Sequence, residues 1–86
     1  MTMSLETALG HLRSGDWQPA HVIVQDDASA LGAWAHGIVH MMEGDFANAR
    51  YWYRQAGRDY PVDAAPPREI EMLARALQQH GVRKET

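Results

Sequence analysis

His36, His40 and Glu43 fall at i, i+4 and i+7 of the stretch HGIVHMME. On a helix that spacing places all three along one stripe, a turn apart. Two imidazoles so arranged can chelate zinc or another divalent ion, and the carboxylate can complete a set of three ligands. His21 joins them if the preceding segment folds back alongside. The same groups can instead bond to one another between helices, with Gln25 and Asn48 as partners, because polar side chains near a core must be satisfied. The spacing permits a metal without demanding one. Hydrogen bonding is therefore the first expectation, with no cofactor required, and a divalent metal such as zinc is the alternative.

The surrounding residues argue against catalysis. The histidines do not bracket a glutamate in the HExxH arrangement of a metalloprotease. No nucleophile motif and no phosphate-cradling glycine loop accompanies them. A non-catalytic protein is expected, and the competing class is a metal-binding protein or small metalloenzyme built on His21, His36, His40 and Glu43.

The elements that must position these groups are legible in an internal repeat. HLRSGDWQPAHVIVQDDA, residues 11–28, aligns without gaps on HMMEGDFANARYWYRQAG, residues 40–57. His11 meets His40, Gly15 meets Gly44, Asp16 meets Asp45, Trp17 meets Phe46 and Ala20 meets Ala49. Each copy reads as two helices around a Gly-Asp corner. Leu5, Ala8, Leu9 and Leu12 recur at helical spacing before Gly15, which can end a helix in the left-handed conformation. Asp16 and Asp45 suit the N-caps of the helices that follow, and Pro19 falls in a first turn, where its missing N–H is tolerated.

Val22-Ile23-Val24 alone reads as a strand, but its counterpart is Tyr51-Trp52-Tyr53, within a helical stripe of Phe46, Ala49, Tyr53 and Ala56. Both segments are therefore expected to be helical. Phe46 and Tyr53 are expected inside their own hairpin, with Tyr51 and Trp52 left to meet the last helix or a partner. Arg50, Arg54 and Arg58 form a basic row at i, i+4 and i+8. After Tyr60-Pro61, Asp63, Pro66 and Pro67 open a last helix bearing Ile70, Leu73, Ala74 and Leu77 on one face. Gly81 is expected to end it, leaving one domain over 1–81 and a charged, frayed tail over 82–86.

With 86 residues the core is thin, so self-association is a standing expectation. Eight Lys and Arg against eleven Asp and Glu give a formal charge of −3 and no basic stripe, which makes nucleic acid an unsuitable partner. Cysteine is absent, so disulfides and thiolate metal sites are excluded. The N-terminus lacks a basic start followed by an unbroken apolar run, which leads to an expectation of a cytoplasmic protein with no membrane partner.

Gly37, Ala49, Tyr53 and Pro61 follow in the order of a tetratricopeptide-type repeat, which the chain resembles. Its copies lie 29 residues apart rather than about 34, and Trp34 stands one position early. A closer resemblance, over about residues 17–58, is to a group of small uncharacterised helical proteins. It rests on Ala20-His21, Gln25, His36, His40, Glu43, Asp45, Asn48-Ala49, Tyr51-Trp52, Arg54 and Gly57. The expected fold is all-α: two TPR-like hairpins with a shortened repeat, plus a closing C-terminal helix. The expected function is protein–protein interaction or self-association, through Tyr51 and Trp52 with Arg50 and Arg54 steering an acidic partner.

Overall fold

The computed structural model describes the backbone of residues 4–85 and the side chains of residues 4–79. The chain forms α1 (Leu5–Arg13), α2 (Trp17–Val24), α3 (Ala30–Glu43), α4 (Phe46–Gln55) and α5 (Pro66–Glu85), with no strand among the described residues. Val22-Ile23-Val24 is helical, as the internal alignment required.

The doubled Gly-Asp corner has one geometry. Gly15 and Gly44 take φ of 80° and 90°, and the aspartates that follow have φ of −94° and −93°. At the first corner the Asp16 N–H donates to the His11 carbonyl and the Gly15 N–H to the Leu12 carbonyl; at the second, Asp45 and Gly44 donate to His40 and Met41. This pair of bonds is the Schellman stop, and it needs a left-handed residue that glycine supplies without strain.

The corners differ in their caps. Asp45 accepts from the Asn48 N–H at 3.3 Å, three residues on, whereas Asp16 makes no side-chain capping bond. The residue three beyond Asp16 is Pro19, which has no N–H to give. Pro19 is thus tolerated by the helix but removes the donor that the expected cap required.

α3 is the central element. It packs against each of the other four helices, and Gly32 to Met41 are all buried. Its contact with α4 is closest at Gly37, where an added Cβ would lie 2.5 Å from the Tyr53 ring and 3.3 Å from the Ala49 carbonyl oxygen. The small residue, the alanine and the aromatic that carry the repeat pattern therefore meet at one helix crossing.

α5 closes the other side, packing on α3 and α1 through Ile70 and Leu73, with Ala74 and Leu77 partly buried. Arg13 on α1 fastens it at the surface through two bonds to Glu71, at 2.9 and 3.1 Å. The helix continues through Gly81 instead of ending there. An interior glycine costs about 1 kcal/mol relative to alanine, which weakens a helix without stopping it. The backbone of 82–85 belongs to α5, Thr86 lies outside the described residues, and no described helix is long and apolar enough to cross a membrane.

Candidate metal centre

His36 and His40 project from one stripe of α3 because they are four residues apart, and α2 lies against that helix. His21, on α2, completes the group. The ring centroids stand 4.9 Å apart for His21 and His36, 5.3 Å for His21 and His40, and 4.9 Å for His36 and His40. Each residue offers a nitrogen within 4.8 Å of those of the other two. Tetrahedral zinc with bonds of 2.0–2.1 Å holds its ligand atoms about 3.4 Å apart, so the three nitrogens would have to draw somewhat closer to share an ion.

The environment favours neutral imidazole at the centre. His36 is 5% exposed and His40 8% exposed, while His21 is half-buried. Burial first, then the neighbouring His40 and His21, bring the His36 pKa down from 6.5 to about 4. His36 therefore keeps a free lone pair at neutral pH, which is the form a metal binds. Its ring lies flat against Trp52 of α4, with centroids 3.9 Å apart and planes 9° from parallel. That contact fixes the imidazole plane.

Glu43 occupies a different place from the one its spacing implies. Its Oε1 lies 2.8 Å from His40 Nδ1, so it orients the histidine. Were Nδ1–H to donate to that carboxylate, Nε2 would be the nitrogen free for a metal, an outer-shell arrangement common to metal-bound histidines. Glu43 also belongs to a second group, with buried His40 and exposed Asp45.

The remaining expectations divide. Gln25 is exposed at the end of α2 and makes no side-chain bond to a histidine among the described residues; it borders a cleft with Tyr51, Trp52 and Gln55. Asn48 is turned to the α4 N-terminus, where its Nδ2 donates to Asp45 at 3.4 Å. Neither partners the histidines, because each serves or adjoins a helix end instead of facing the α2–α3 seam. Tyr51 is exposed, and Trp52 covers His36. Phe46 is 46% exposed rather than enclosed by its hairpin, since it is the first residue of α4 and projects at the molecule's end.

The basic row also breaks. Gly57 ends α4 in the left-handed conformation, so Arg58 leaves the helical register and sits 3.5 Å over the Trp34 ring. Arg50 stands 5.0 Å over Tyr60, leaving Arg54 exposed between them.

A second polar cluster went unseen in the sequence. Glu69, 6% exposed, accepts through Oε1 from Tyr53 Oη at 2.7 Å and from Trp34 Nε1 at 3.1 Å. It joins α3, α4 and α5 at one carboxylate oxygen. Burial, followed by the bond to Glu69, holds the Tyr53 phenol neutral far above its usual range. The readable signal was spacing: Glu69 lies four residues before Leu73 and eight before Leu77, so it is a carboxylate on an apolar stripe.

Compared with protein-family models, curated proteins and solved structures, the chain matches none. The functional reading therefore stands on the residues and their arrangement.

Proposed function

We propose that this chain is a non-catalytic helical protein that binds a divalent transition metal, with zinc the best fit, through His21, His36 and His40. The observation that carries the reading is the meeting of three imidazoles from two helices within 4.8 Å of one another. All-imidazole sites suit zinc, copper and nickel over magnesium or calcium, which take oxygen ligands. Glu43 sets the tautomer of His40, and Trp52 sets the plane of His36. The metal would tie α2 to α3 where no other side-chain hydrogen bond among the described residues joins them.

The test is metal analysis of protein purified without chelator, followed by zinc titration of the wild type and of His36→Ala/His40→Ala. Stoichiometric zinc, with quenching of tryptophan fluorescence that the double variant loses, supports the reading. An unchanged melting temperature and unchanged fluorescence on zinc addition to the wild type overturn it.

A second reading, a TPR-like interaction or self-association module, is supported by the large apolar side chains left in solvent: Val22, Phe46, Tyr51 and Val62. It is independent of the metal.

A further inference from the structure

Several anomalies of the fold converge where the loop after α4 passes the start of that helix. Phe46, Arg50, Tyr60, Pro61, Val62 and Ala64 line a groove of about 370 Å³. Phe46 is nearly half exposed and Val62 fully so, although both are strongly apolar. Leaving such side chains in water forgoes roughly 1.5–3 kcal/mol each of burial. Ala64 has a φ of 45°, and no other non-glycine residue among the described residues has a positive φ. The loop thus holds a sparsely populated backbone conformation while displaying Val62 to solvent.

The charge at the groove is opposite to that of the chain. The protein carries a formal −3, yet Arg50 is the one charged residue lining this groove. Asp63, in the same loop, is held by Arg68 at 2.9 Å. The Arg50 guanidinium lies 5.0 Å over the Tyr60 ring, a contact that favours this placement beside the groove. The Tyr60 hydroxyl is buried with no hydrogen-bond partner, the only such side-chain atom among the described residues.

We propose that this groove receives a short segment of a partner protein in which a large apolar residue adjoins an aspartate or glutamate. The apolar side chain covers Phe46 and Val62, and the carboxylate meets Arg50. The inference rests on the interaction reading and owes nothing to the histidines. A second copy of the chain is the less suitable occupant, because a groove lined by six residues is far smaller than the roughly 800 Å² per partner that a stable interface buries. The groove's volume accommodates about one large side chain and a carboxylate, too little for a long acyl chain.

The experiment is titration of the full-length protein with N-acetyl-Leu-Glu-Leu-amide and its Gln and Lys analogues, followed through backbone amide resonances. The Glu peptide is expected to shift Phe46, Arg50, Tyr60, Val62 and Ala64. It is expected to bind at least about threefold more tightly than the Gln peptide, and the Lys peptide more weakly than either. Arg50→Gln is expected to erase the Glu–Gln difference. The Lys arm tests the charge preference on wild type should that variant fold poorly. Equal binding of the three peptides at this groove overturns the carboxylate preference while leaving an apolar interaction surface intact. Absence of shifts at these residues, in a protein that sediments as a monomer, overturns both. A sedimenting dimer that Phe46→Ser dissociates assigns the face to a second copy and overturns the proposal.

Discussion

α3 carries two buried polar clusters on different sides, and they solve opposite problems. Around Glu69, two donors meet one acceptor: Trp34 Nε1 and Tyr53 Oη share a carboxylate oxygen, with Arg58 over the indole. Around His36, three like groups meet, and only His40 has a protein partner for a ring nitrogen among the described residues. Trp34 and His36 are two residues apart, hence about 200° around the helix axis. One side of the helix is chemically closed, while the other has lone pairs to offer. A satisfied network specifies the packing of three helices, whereas the cluster around His36 has ring nitrogens that could serve a ligand.

The sharpest way to break this contrast is to remove the acceptor. Glu69→Ala strands two buried donors at roughly 1–3 kcal/mol each, so urea denaturation is expected to show a loss of about 3–5 kcal/mol. His21→Ala in metal-free protein is expected to cost far less, since no side-chain hydrogen bond among the described residues is broken. If the two losses match, the histidine cluster is also a structural network, and the distinction fails.

Metal should narrow the gap. Zinc at a hundredfold excess over its dissociation constant is expected to add about 2.7 kcal/mol to wild-type stability and nothing to His36→Ala/His40→Ala. Glu69→Ala should gain the full zinc increment, because its cluster lies on the other side of α3. A zinc increment that shrinks in Glu69→Ala would show that the two clusters are coupled.

A smaller effect isolates Glu43. Glu43→Gln keeps the length of the side chain but weakens the carboxylate–imidazole bond at 2.8 Å. Outer-shell changes of this kind cost about tenfold to a hundredfold in metal affinity, read here by competition with a chelating dye. A larger loss, comparable to that of a histidine variant, would make Glu43 a direct ligand, as its i+7 spacing first implied.

Much of this was legible because it is local. The Schellman corners, the helical reading of Val22–Val24 and the stripe of His36 and His40 all follow from residues within a turn or two of one another. The meeting of His21 with that stripe required one further step, the folding back of α2 on α3, which neither Gly-Asp corner encodes, since those corners join α1 to α2 and α3 to α4. What escaped depends on distant partners or on single atoms. Glu69 reaches Trp34 across 35 positions, a separation that no periodicity encodes. The Asp16 cap failed through one missing hydrogen at Pro19, and the arginine row failed because Gly57 stops α4 before Arg58. Both losses were written in residues whose conformational limits are known, and both needed to be weighed against a favourable pattern.

The two clusters should also part company with pH. In metal-free protein the folded state holds the His36 pKa near 4 against an ordinary 6.5, so between these values the unfolded chain binds the extra proton. Stability therefore falls as pH drops from about 6.5 toward 4, and His36→Asn flattens that limb. Tyr53 is shifted the other way: its folded pKa lies above the ordinary 10.0, so beyond that pH the unfolded chain ionises first. Stability then falls as pH rises past about 10, and Tyr53→Phe flattens that limb in part, with Tyr60, also raised by burial, contributing the same sign. Urea midpoints measured across the range read both limbs. An acid limb unchanged by His36→Asn would place the titrating group elsewhere and remove the claim that the imidazole is held neutral and ready for a ligand.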